Sequence, residues 1–161
     1  MPLIESARTT VRNFHSALGN GAEKGVVTSN AKPRIVIVDD DESVCRAVKR
    51  LVRSLGMDAD TFTSGQEFIA VLKTMPSLDV DCVVLDLQMP GMNGMAVNER
   101  LAAIGSRLPV IFITAYDEAG ARERALAGGA VAYLRKPFND ELLIETLRVA
   151  LKRDASNGSK D

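Results

Sequence analysis

Charge of one sign is scarce in this chain: 20 Lys+Arg stand against 21 Asp+Glu, for a net charge of −1. That balance leaves no electrostatic footprint for gripping a polyanion, which argues against direct nucleic-acid binding. No apolar run approaches the ~20 residues a membrane span needs. The N-terminus also lacks the continuous apolar core of a secretory signal, so a cytoplasmic location is expected. Cysteine is nearly absent. Cys45 and Cys82 have no CxxC spacing and no histidine beside them, and both fall within apolar periodic segments. They read as small buried residues of a reducing compartment rather than as a disulfide or zinc site. The single histidine, His15, lies near the N-terminus, where a lone imidazole reads as a solvated side chain.

What is present is a core. The 161 residues are 46% hydrophobic, enough for one compact domain with spare tail. Residues 1–32 form an N-terminal tail punctuated by Gly19-Asn20-Gly21 and Thr28-Ser29-Asn30. Within it Ile4, Ala7, Val11, Phe14 and Leu18 fall at heptad-like spacing. Two readings compete there: a short amphipathic helix that docks or pairs chains, and unstructured residues upstream of a later start near Val26 or Val27. Residues 33–152 alternate short apolar runs with amphipathic stretches. Strands are expected at Arg34–Val38, Asp58–Phe62, Cys82–Leu85, Pro109–Ile113 and Ala130–Leu134. Helices are expected at Ser43–Leu55, Gly65–Leu72 behind a Ser64 cap, Met95–Ile104, Glu118–Ala127 and Asp140–Lys152. Residues 153–161 are polar and read as a disordered tail. Apolar runs without alternation mean strands covered on both faces, and right-handed crossovers then give a doubly wound parallel sheet.

In such a sheet the ligand sits beyond the carboxyl ends of the strands. Asp39, Asp40, Asp41 and Glu42 follow the first strand, Asp86 the third, Thr114 the fourth, and Lys136-Pro137 the fifth. All fall on one edge. Asp41 reads as the cap of the helix behind it; Asp39, Asp40 and Asp86 read as a site. Two carboxylates ~4 Å apart at an effective dielectric near 20 repel by about 4 kcal/mol, so something positive must offset them. Lys136 is one counter-charge, and a hard divalent ion such as Mg²⁺ is the natural second. A carboxylate such as Asp86 can attack phosphorus to give an acyl phosphate, with Lys136 and the metal neutralising charge on the equatorial oxygens and Thr114 donating to one of them.

Four segments carrying these residues, IVIVDDDESV, VVLDLQMPGMNG, VIFITAY and AYLRKPF, resemble the motifs of bacterial two-component response-regulator receivers. The resemblance covers about Arg34 to Leu151. It implies a flavodoxin-like fold with strand order 2-1-3-4-5. It implies Asp39 and Asp40 as metal-holding acids, Asp86 as phosphoacceptor and metal ligand, and the backbone carbonyl of Gln88 as a further ligand. It further implies Thr114 as switch hydroxyl, Tyr133 as the aromatic that turns inward when Thr114 moves, Lys136 as the phosphoryl-contacting lysine, and a cis bond between Lys136 and Pro137. Gln88 and Tyr116 occupy positions where the family tunes dephosphorylation. Gly91 and Gly94 read as turn residues with φ > 0.

The expected role is that of a phosphoacceptor signalling domain rather than a conventional enzyme, catalysing only its own phosphorylation and dephosphorylation. The donor is a sensor histidine kinase or a histidine phosphotransfer protein, the listener an unidentified protein target. A phosphorylation-dependent dimer through the last helix is suggested by Leu142, Ile144 and Val149, too many apolar residues for one buried stripe. Three other readings stay open: a pseudo-receiver that docks constitutively, an aspartyl phosphohydrolase (disfavoured because Gln88 cannot serve as the general acid), and the receiver half of a DNA-binding transcription regulator. The segment around TFTSGQEFI is similar to receivers that often carry a helix-turn-helix output.

Overall fold

The computed structural model of the protein describes residues 32–75 and 78–158, with side chains as far as Arg153. Most of the 1–32 tail, with its heptad-like pattern and His15, lies outside the described residues. Five strands alternate with five helices: β1 (Arg34–Val38), α1 (Glu42–Ser54), β2 (Asp58–Phe62), α2 (Gly65–Thr74), β3 (Cys82–Asp86), α3 (Gly94–Ala103), β4 (Val110–Thr114), α4 (Ala121–Ala127), β5 (Ala132–Arg135) and α5 (Asp140–Gly158). Every pairing is parallel, as the apolar pattern predicts, and the order is β2-β1-β3-β4-β5, as the resemblance implied.

The two-faced burial of the strands follows from side chains alternating across the sheet. Val36, Val38, Val83, Leu85 and Phe112 enter one layer, closed by Phe68 and Val71 of α2, Val97 and Leu101 of α3 and Ala121 and Ala125 of α4. Ile35, Ile37, Val84, Ile111 and Ile113 enter the other, closed by Cys45, Val48 and Val52 of α1 and Leu143, Leu147 and Ala150 of α5. Each fully buried aliphatic or phenyl group contributes about 1.5–3 kcal/mol. β1, β3 and β4 are the central strands and carry the site at their ends; β2 is an edge, and its sequence DADTF is correspondingly polar. Arg34 crosses from β1 to that edge and meets Asp60 at 2.6 Å.

The helix starts are fixed by side-chain caps that satisfy otherwise orphaned N–H groups. Asp41 accepts from the Ser43 N–H, Ser64 from the Glu67 N–H, and Asn93 from the Ala96 N–H. Three expectations need correction. The last helix continues to Gly158 instead of ending at Lys152, because no breaker stands between Lys152 and the glycine. The fourth helix begins at Ala121, not Glu118; Gly120, at φ +80°, turns the chain first and leaves Asp117 and Glu118 in the loop. Gly91 has the expected positive φ (+79°), but Gly94 does not. Gly94 is instead a close approach: a Cβ there would strike the Asp86 carbonyl oxygen and stand 2.9 Å from the Leu87 Cα.

Two predictions arise from the packing. Gly94→Ala forces the start of α3 off the end of β3, against backbone that cannot yield. It is expected to cost about 1–3 kcal/mol of unfolding free energy in a urea titration. Glu67 is buried, its Oε1 has no hydrogen-bond partner among the described residues, and burial holds its carboxyl above the ordinary range. An acid raised in the folded state opposes folding once it must ionise, so the penalty is present at neutral pH and relieved as pH falls. Glu67→Gln is therefore expected to raise Tm at pH 7, with the gain shrinking by pH 4.5. Melts showing an equal gain at both values would remove ionisation as its cause.

Candidate functional site

The site is assembled where β1, β3, β4 and β5 end. β3 and β4 each run one residue further than the apolar pattern suggested, so Asp86 and Thr114 are themselves the last residues of their strands. Asp39 follows β1 and is fixed by its backbone: its N–H donates to the Phe62 carbonyl of β2 at 3.0 Å. Its side chain is fixed too. Oδ1 accepts from the Asp41 N–H at 2.9 Å, and Oδ2 accepts from Lys136 Nζ at 2.7 Å. Asp39 is fully buried, Asp86 nearly so, and Asp40 is exposed. One carboxylate oxygen from each lies within 4.8 Å of the others.

Lys136 joins the strands. Its Nζ lies 3.5 Å from Asp86 Oδ1 as well as 2.7 Å from Asp39 Oδ2, while its N–H donates to the Thr114 carbonyl at 2.8 Å. The bond to Pro137 is cis, as the resemblance implied. Burial alone would lower the lysine's pKa; its hydrogen bond to Asp39 and the charges of Asp39 and Asp86 outweigh it and hold the ammonium above its usual value. Asp86 goes the opposite way to most paired acids. Burial first, then the Asp39 carboxylate, push its carboxyl up to about 7, and Lys136 offsets only part of this. Such a carboxylate is under-neutralised: a further cation would be welcome.

The donor set suits a hard ion. Three clustered carboxylates present only oxygen, the chemistry that Mg²⁺ and Ca²⁺ take and that softer metals do not require. Gln88, two residues past Asp86, has its N–H 3.5 Å from Asp86 Oδ1.

Thr114 and Tyr133 are placed less simply. Thr114 is fully buried, and its hydroxyl donates to the Tyr116 carbonyl at 2.8 Å and accepts from the Tyr116 N–H at 3.2 Å. Among the described residues no hydrogen bond joins it to Asp86. Tyr133 is already inside, 4% exposed, with its hydroxyl donating to Asp117 Oδ1 at 3.3 Å.

Sequence reasoning missed the partners of these groups. The sequence pattern places Glu118 in a helix that in fact starts three residues later, at Ala121, and assigns Asp117 no role. In the loop, Asp117 receives Tyr133 and lies 3.9 Å from Arg135, and Glu118 accepts from the Gln88 side chain. The signal was Gly120, a breaker just before the alanine-rich run. Cys45 was read only as core, yet its thiol donates to the Asp39 carbonyl at 3.2 Å. Burial, then the Asp39 charge, push that thiol up to about 11, so it is an inert neighbour of the site.

Comparison with known proteins gives the same reading from another direction. Residues 35–148 match the family model of the response regulator receiver domain. The chain is 61% identical to a response regulator receiver protein from Burkholderia phymatum of known crystal structure, with a TM-score of 0.69 over 75% of this chain and 96% of that one. It is 35% identical over 130 residues to nodulation protein W of Bradyrhizobium diazoefficiens, covering 81% of this chain and 56% of the relative. It is 38% identical over 118 residues to the response regulator protein TmoT of Ectopseudomonas mendocina, covering 73% and 52%. The chain thus spans about half the length of the curated relatives it matches. With the family model covering most of its length and relatives at these identities, the chain belongs to the response regulator receiver domain family.

Proposed function

We propose that Asp86 is the phosphoacceptor. The observation that carries this is its position: a buried carboxylate at the end of a central strand, 3.5 Å from a lysine that is itself anchored on Asp39. In the proposed reaction an Asp86 carboxylate oxygen forms a bond to phosphorus. The bond from phosphorus to the donor breaks, and the leaving group takes a proton. With a histidine kinase or histidine phosphotransfer protein as donor, the leaving group is an imidazole. Asp39, Asp40, Asp86 and the Gln88 backbone carbonyl would hold Mg²⁺, which supplies positive charge to the phosphoryl oxygens. Lys136 supplies the fixed part of that charge, preorganised by Asp39 before any phosphate arrives.

The output is a change of surface. To reach a phosphoryl oxygen the Thr114 hydroxyl must give up the Tyr116 carbonyl it now donates to. Tyr133 is inside before this happens, so phosphorylation would secure the ring in place as the Thr114–Tyr116 turn rearranges. The loop and α4, β5 and α5 form the element so biased. Exposed Leu142 and Val149 on α5 are where a phosphorylation-dependent dimer would form. A second role, the receiver portion of a longer regulator, is favoured by the length of the curated relatives relative to this chain.

Two expected outcomes follow. Treatment with acetyl phosphate should add one phosphoryl group by intact mass. The gain should need Mg²⁺ and disappear in Asp86→Asn; a folded wild type that gains nothing would point to a constitutive docking module. For Tyr133, burial and then Asp117 raise the phenol pKa. In a Tyr116→Phe background Tyr133 is the remaining tyrosine. Its ultraviolet titration midpoint should lie above the ordinary ~10, and Asp117→Asn should lower it. No change on that substitution would break the Tyr133–Asp117 link.

A further inference from the structure

We propose that Glu118 holds the side chain of Gln88 in a clasp beside the phosphoacceptor, and that this clasp sets how long Asp86 stays phosphorylated. The inference rests on the reading of Asp86 as acceptor.

β3 and β4 are neighbours, with Asp86 opposite Ile113 and Thr114 next along. The loops leaving them therefore start side by side at the site. Gln88 is two residues into one and Glu118 four residues past Thr114 in the other. Gln88 Nε2 donates to Glu118 Oε1 at 3.1 Å, tying the two loops together. Glu118 is not a free surface acid, because the loop that carries it is held on either side. Thr114 and Tyr116 lock its start through two hydrogen bonds. Asp117 fixes it to β5 through Tyr133 and Arg135. Gly120 then turns the chain away at φ +80°. The acid is thus presented to the Gln88 amide by a braced loop, which is what a positioning residue requires.

Loss of the phosphoryl group from Asp86 is an in-line displacement. Water oxygen bonds to phosphorus, the bond from phosphorus to the Asp86 oxygen breaks, Asp86 recovers its carboxylate, and inorganic phosphate leaves with the water's protons shared between it and solvent. Water must approach from the side opposite Asp86, outward from the sheet edge, where these loops lie. A free amide two residues from Asp86 can hydrogen-bond and orient that water. In the clasp one Nε2–H is bound to Glu118, so the amide is held in that orientation rather than free to turn to the water, and the phosphorylated state is protected.

The test measures the decay of phosphorylated protein, prepared with acetyl phosphate and Mg²⁺ and followed by intact mass after donor removal. Glu118→Ala frees Gln88 and is expected to shorten the lifetime several-fold. Glu118→Gln keeps an acceptor oxygen without the charge and should decay close to wild type. Adding Gln88→Ala to Glu118→Ala should return the lifetime towards wild type, since the freed amide is the agent. An unchanged lifetime in Glu118→Ala would overturn the clasp. So would a Glu118→Gln protein as fast as Glu118→Ala, which would assign the effect to charge, or a double variant as fast as the single one. These outcomes are distinct from failure of the acceptor reading, in which wild type takes up no phosphoryl group, and which would overturn the clasp with it.

Discussion

The contact on which the site depends is the 2.7 Å ion pair between Lys136 and Asp39. Asp39 is fully buried, and a lone ionised carboxylate there would be untenable. The lysine ammonium across from it supplies the compensating charge, and the lysine in turn is held above its usual basicity. The pair spans 97 residues of sequence and links the first strand to the end of the fifth. Once made, it leaves Asp86 as the odd acid, repelled by Asp39 and reached by Lys136 only at 3.5 Å. Removing Lys136 would leave the buried Asp39 carboxylate without its counter-charge, a loss of about 3–5 kcal/mol for such pairs. The chemistry of the site and the closure of this end of the sheet therefore share one interaction.

The rest of the architecture delivers the groups to that point. Parallel strands put all their carboxyl ends on one edge, so residues far apart in sequence meet without long loops. Gly94 sets α3 hard against the backbone of Asp86 itself. Asp86 is gripped from behind by backbone and from the front by charge, which is the preorganisation that the proposed phosphoryl transfer needs.

The sequence was most legible where a pattern is long or a residue's chemistry is rare. Apolar runs such as IVIV and CVVL identified the central strands, because nothing but two-sided burial asks for them. The cluster of acids and Lys136 was legible because four strand ends converge on one edge. What could not be read were features set by neighbours in space. Glu118 looked like the first residue of a helix, and only the turn at Gly120 separates it from that helix. The need for glycine at position 94 comes from the Asp86 carbonyl, not from its own φ. The inward state of Tyr133 is settled by Asp117, a partner that no spacing rule would have offered. The end of α5 was misplaced because polar residues were read as loop, although Lys, Arg, Asp and Ala sustain a helix well enough until a glycine.

The polar edge strand has a further consequence. A parallel sheet that ends on β2 presents a row of unpaired backbone groups to any passing extended chain. Alternate positions of DADTF carry carboxylates, Asp58 and Asp60, and Arg34 holds them in place from the adjoining strand. A second copy docking strand to strand in parallel register would bring like charges together at spacings where they repel. The molecule thus resists amyloid-like stacking on this edge of the sheet, and the hydrophobic strands behind β2 remain out of reach.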